Sequence, residues 1–312
     1  MKNMSLKMNL NHPLIELIVI VFSLSVHSNA FSQDNLSYNT GKNFEVAQSA
    51  RDEAKSDVVT QKIKDTQKSI LDEAVIALNE TQHALKALDE NKPTESVLAL
   101  EIASGKLDFL LARAPKLSLA PIYFSVYAHS INVTPQIIKT IMGQTMIAFS
   151  RGNIQQARHL ICQLGSEMVI HVTNIPLASY SQAIKSIAPL IDKGQLSQAK
   201  FTLQVALSTL VVTSHVIPIP YLRSLELLKR LESLSEIQNR NAQQKNEITY
   251  LLTVTREQFE IARLLGYGDN IVYKILNKKL NDIESKIKKG VSAKDDLQRE
   301  EQAILTLINQ TA

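Results

Sequence analysis

The sequence predicts an all-α protein of stacked helical hairpins, forming a bundle or short array, with one short strand or extended segment near residues 121–128. Three observations carry that reading. Apolar residues recur at helical spacing over most of the chain from about residue 57 onward. Nine Gly and 5% aromatic residues in a chain of 312 are few for an all-β protein with many tight turns. Finally, one helical hairpin is written twice, at the spacing that separates Arg151 from Lys193.

The elements follow in order. Residues 1–30 read as a secretory signal: Lys2 and Lys7 open it, an apolar run from Leu14 to Val26 follows, broken only by Glu16, and Ser28-Asn29-Ala30 offers cleavage after Ala30. That run is short of the about 20 residues a membrane-spanning helix needs, so no stable membrane insertion is expected once the signal is removed. No Cys follows the run to take a lipid anchor. Residues 31–55 are polar and aperiodic and read as a flexible leader. Residues 56–238 read as a helical domain and 239–312 as a C-terminal helical hairpin region, with the polar stretch 239–246 as the linker.

Within the domain, Val75, Ile76, Leu78, Leu85 and Leu88 fall near one face of a helical period, and Asn91-Lys92-Pro93 ends that helix and starts the next. The second helix carries Val97, Leu98, Ile102, Leu107, Leu110 and Leu111 and stops near Pro115. Pro121 to Tyr127 is β-branched and aromatic, hence the extended segment. Thr134-Pro135 suits a helix start, Thr134 as cap and Pro135 in the first turn, where its missing N–H costs nothing.

The repeated hairpin aligns Arg151-Gly152-Asn153-Ile154-Gln155-Gln156-Ala157-Arg158 with Lys193-Gly194-Gln195-Leu196-Ser197-Gln198-Ala199-Lys200, without a gap through Ile175-Pro176 and Ile217-Pro218. Gly152 and Gly194 are read as left-handed caps between two helices, a backbone conformation other residues resist. Pro176 and Pro218 are read as the ends of the second helix in each copy. Three further helices are expected over Tyr221–Ile237, Ile248–Leu265 and Ile271–Ile287, and a fourth over Ala293–Ile308.

The chemistry-bearing residues form no catalytic or cofactor motif. Gly165-Ser166-Glu167 lacks the second Gly of a nucleophile elbow, and Gly266-Tyr267-Gly268 reads as a cap and turn after a helix. His159 and Cys162 share a helix face but have no second ligand pair, and Cys162 is read as a small buried apolar residue. Glu167 is read as a buried acid without a partner carboxyl. The chain is therefore expected to be no enzyme and to carry no cofactor and no metal. Removing Lys2, Lys7 and Glu16 from 34 basic and 30 acidic residues leaves 32 and 29, a net charge of +3. Such a mixed surface argues against nucleic-acid binding.

Ala74–Leu88, Ala99–Pro115, Gly152–Leu177, Leu207–Leu222 and Phe259–Gly268 together resemble the YfdX family of bacterial exported proteins. The Gly-Asn and Ala-Arg turn, the Ser166-Glu167 pair and the two Ile-Pro motifs, in that order, carry the likeness. The resemblance implies an all-α fold, a periplasmic location, acid or envelope stress as the setting, and a homo-oligomer. It supplies no catalytic residues.

Two functions are expected from this. The first is a stress-response interaction protein, chaperone-like toward unfolded periplasmic clients. Its candidate pH-sensing residues are the five His outside the signal, His83, His129, His159, His171 and His215, whose protonation in acid would add charge and loosen an oligomer. The alternative is a small-ligand or peptide-binding module, with Tyr123, Tyr127, Tyr180 and Tyr221 lining a groove near the breaks between helices.

Overall fold

The computed structural model describes residues 56–310; the expected signal and leader lie outside them. The chain opens with helix α1 (Asp57–Ser69). A unit of two helices and one strand then occurs three times. The first is α2 (Asp72–Asp89), α3 (Pro93–Arg113) and β1 (Leu119–His129). The second is α4 (Pro135–Ser150), α5 (Ile154–Cys162) and β2 (Glu167–Pro176). The third is α6 (Leu177–Asp192), α7 (Leu196–Ser208) and β3 (Val211–Pro218). Four helices close the described chain: α8 (Ile219–Ser235), α9 (Ala242–Leu264), α10 (Asn270–Lys288) and α11 (Lys294–Gln310).

The protein is therefore mostly helical but not all-α. The three strands form one antiparallel sheet in the order β1-β2-β3, with Tyr127 opposite Val169 and Val169 opposite Val216. The extended segment near 121–128 is β1. The other two strands correct the expectation that Pro176 and Pro218 end helices: each proline ends a strand, and α6 and α8 begin directly after them. The reason is local. Met168, Ile170 and Val172 are buried while Glu167, Val169, His171 and Thr173 between them are half-buried, a two-residue period. An apolar run this short has no helical signature of its own, and its β-branched residues favour the pleated surface.

Two cores result. One gathers Ala-rich faces of α2 and α3 with α6 and α7, around Leu107, Tyr180, Ile184, Ile187 and Leu203, where β1 begins and β2 ends. The other lies under the Met168, Ile170 and Val172 face of the sheet, which α1 and α8 to α11 cover. In it the three-residue leucine series of α8, Leu222, Leu225, Leu228, Leu231 and Leu234, is buried throughout. The expected linker 239–246 is mostly helix: Asn241 accepts a hydrogen bond from Gln244 N–H, Gln244 Oε1 accepts one from Asn241 N–H, and α9 starts there. Leu231 and Leu234 before that turn share a core with Ile248, Leu251 and Leu252 after it.

The turns inside the three units agree with the sequence reading. Gly152 and Gly194 adopt φ of 75° and 72°, and Asn91 takes the same role between α2 and α3 at 55°. Asn is among the few non-Gly residues that tolerate that region.

Candidate functional site

The repeat defines the site. Adding 42 to the bounds of α4 gives 177–192, the bounds of α6, and α5 falls within α7 in the same way. Two matched pairs, Ile138 with Tyr180 and Ala157 with Ala199, are buried in both copies. They fasten the first helix of each hairpin and the close approach of the two helices. Beyond them the copies part. Phe149 is 66% exposed where its counterpart Ile191 is 7%, and Ile161 is 56% exposed where Leu203 is 0%. Met142 is likewise exposed where Ile184 is buried, and Met146, Ile147 and Ile154 are exposed beside them.

The difference lies in what covers each hairpin. α3 packs against α6 and α2 against α7. Two ion pairs join those faces, Asp108 with Lys185 Nζ at 2.6 Å and Asp89 with Lys200. The α4–α5 hairpin has no such cover. α4 leans on α9, where Lys139 Nζ lies 3.2 Å from Glu260, and Arg223 of α8 holds the loop before α4 by donating to Ile131 O and Ser130 Oγ. α5 packs closely on α4 alone among the described elements. A cleft of about 310 Å³ between the two helices is lined by Gln144, Ile147, Arg151, Gln156 and Leu160 among others.

The apolar positions of α6 are not kept a further 42 residues on. The positions of Ile184, Ile187 and Ile191 in α6 become Glu226, Lys229 and Ser233 in α8. Those side chains favour water over an apolar contact. The hairpin's charge is one-sided as well: no Asp or Glu occurs between Asp108 and Glu167, a stretch that includes Lys139, Arg151 and Arg158. Sequence reasoning missed this surface. The acid-free stretch was its one legible signal.

The tyrosines named from sequence do not meet in one groove. Tyr180 is buried in the first core, its hydroxyl beside Thr81, and Tyr221 is buried in the second. Burial raises both above the ordinary tyrosine value. The Tyr221 hydroxyl donates to Tyr267 O at 3.0 Å and lies 2.7 Å from the Tyr273 hydroxyl. Tyr123 and Tyr127 stand exposed on the open face of the sheet. There the Tyr127 ring meets His171 edge-on at 5.3 Å, and His171 Nδ1 lies 2.7 Å from Ser214 Oγ.

The histidines are scattered too. His83 on α2 lies 3.1 Å from Glu95 and 3.5 Å from Glu80. His129 ends β1 opposite Glu167, with its ring against Gly165. His159 is on α5, 3.1 Å from Gln163. His215 of β3 faces the second core; burial there, and then Lys62, push it below the ordinary histidine value. Two more sequence expectations are corrected. Cys162 is exposed, at the last position of α5. Glu167 is a half-buried strand residue that accepts a hydrogen bond from the Tyr267 hydroxyl at 3.2 Å, rather than a buried acid in a helix. Among the described residues no group of three or more His, Cys, Asp or Glu is placed to hold a metal ion. No described helix is long and apolar enough to cross a membrane.

Residues 77–216 match the family model described as YfdX protein. The chain carries a YfdX region. That region begins inside α2 and ends inside β3, so it is the three helix–helix–strand units, and the open α4–α5 hairpin lies at its centre. A solved structure of Salmonella Typhi YfdX is similar to this chain at 14% identity with a TM-score of 0.34, covering 48% of this chain and 93% of that one. No curated protein matches the chain.

Proposed function

We propose that the protein is an exported stress-response interaction protein that holds apolar segments of other proteins, chaperone-like, on the α4–α5 hairpin of its YfdX region. One observation carries the reading: Met142, Phe149 and Ile161 are exposed where the same positions of the second copy are core residues. An exposed apolar face of this kind is what separates a binding surface from a catalytic cleft, where polar groups converge. The setting in the periplasm rests on the signal pattern before Ala30. Acid sensitivity rests on His215, a second-core histidine that burial pushes below its ordinary value. The ligand-groove alternative has less behind it, since its four tyrosines fall in three places.

The test is light scattering from reduced, denatured lysozyme diluted into buffer, with and without the protein, at pH 7 and pH 4.5. Suppression at near-equal molar ratio is expected, and its loss in the Met142→Ser/Phe149→Ser variant. Unchanged scattering with the wild-type protein at both pH values would sink the proposal.

A further inference from the structure

We infer that the partner the α4–α5 hairpin accepts is an amphipathic α-helix with an apolar stripe of small and leucine side chains and acidic residues on its flanks. This rests on the reading of α4–α5 as the binding face and specifies its occupant. The second copy of the hairpin shows what such a face takes: α3 against α6, and α2 against α7. The covering helices bring Ala74, Ala77, Ala84, Ala99, Ala103 and Leu107 into the core they share with α6 and α7, and small side chains of this kind let helices approach closely.

They also bring acids to the cations of the covered hairpin. Asp89 pairs with Lys200, and Asp108 with Lys185. Arg158 stands in α5 where Lys200 stands in α7, and its own stretch of chain offers it no acid, since none occurs between Asp108 and Glu167. Of the nearby cations, Lys139 is occupied by Glu260. Arg151 and Arg158 are the charges left to greet a partner, one at the hairpin tip and one flanked by the exposed Ile154 and Ile161. An extended segment would satisfy its own backbone hydrogen bonds poorly on a helical face, whereas a helix arrives with them made. The occupant is thus a helix, apolar on one side and negatively charged at its margins.

Fluorescence anisotropy tests this with the whole protein and labelled synthetic 18-residue helices. One carries an Ala/Leu stripe with Glu flanks, a second the same stripe with Lys flanks, and a third the first composition scrambled out of helical period. The Glu-flanked helix is expected to bind at least tenfold tighter than the other two, and Arg158→Glu to reverse the preference between Glu and Lys flanks. Met142→Ser/Phe149→Ser is expected to weaken it at least tenfold, with its unfolding temperature checked alongside. Equal binding of all three peptides overturns the inference, as does binding only to phosphatidylglycerol vesicles or only to a second copy of the chain. If lysozyme aggregation is still suppressed, and suppression still depends on Met142 and Phe149, the proposed function survives that result and only the helical, acidic occupant is lost. If suppression fails too, both fall.

Discussion

Lys279 Nζ of α10 lies 3.5 Å from the carboxylate of Glu300 on α11, and neither Glu300 oxygen has a hydrogen-bond partner although the side chain is fully buried. Burial raises this carboxyl to about 7, against the opposing pull of Lys279. Glu301 beside it is raised in the same direction by burial and by Glu232 and Glu226 of α8, opposed by Lys229. The neutral form is the one the folded state prefers. Stability from Glu300 is therefore intact below about pH 4.5 and lost as pH rises through about 7, an effect of about 3 kcal/mol. Glu300→Gln is expected to remove most of that slope, read as the midpoint of urea unfolding between pH 5 and pH 8. An unchanged slope would mean that the carboxyl is solvated in the folded protein.

His215 works against it in the same core. Its depressed value makes the neutral ring the folded form. Its contribution is complete above about pH 6.5 and is lost as pH falls below that, because the unfolded chain takes the proton first. β3 packs on both α8 and α11, so the two opposing slopes meet in one region. His215→Gln is expected to flatten the acid side of the stability profile and leave the alkaline side, the reverse of Glu300→Gln. The same result from both variants would show that neither group sets the profile.

The helices were legible because their apolar periods are long and their breaks are chemically marked. Asn91-Lys92-Pro93, Gly152 and Gly194 sit at the turns expected of them. β2 and β3 were not legible, since Met168–Ile175 and Val211–Ile217 are too short for periodicity to separate strand from buried helix. The site escaped for a different reason. Met142, Phe149 and Ile161 are as apolar as their buried counterparts Ile184, Ile191 and Leu203, so residue type does not tell the two sets apart. What leaves them open is the placement of α2–α3 over one hairpin only, a tertiary fact that no local pattern encodes.

Gly105 and Gly268 separate two roles of glycine. Gly105 is in the exposed interior of α3, where an added Cβ meets nothing within 4 Å. Gly105→Ala is expected to stabilise by about 0.5–1 kcal/mol. At Gly268 the same atom would lie 3.0 Å from the hydroxyls of both Tyr221 and Tyr273, which are hydrogen-bonded to each other. Gly268→Ala is expected to destabilise by about 1–3 kcal/mol by forcing that buried pair apart. Urea unfolding of the two variants gives opposite signs if the tyrosine pair is rigid. A neutral Gly268→Ala would show that it yields.

The repeat permits a paired test in which each variant is the control for the other. Ile191 of α6 and Phe149 of α4 hold the same position in the two copies, as do Leu203 and Ile161. Ile191→Ala and Leu203→Ala each empty a packed site, and each is expected to cost about 2–5 kcal/mol. Phe149→Ala and Ile161→Ala remove side chains already in water, so each is expected to change stability by less than about 0.5 kcal/mol. Unfolding midpoints measured at two protein concentrations check this. Large losses at Phe149 and Ile161 that grow on dilution would show that another copy covers the hairpin in solution, since a bound partner adds to apparent stability by mass action. Losses independent of concentration would place these side chains in the core of the single chain, and the open face would not exist.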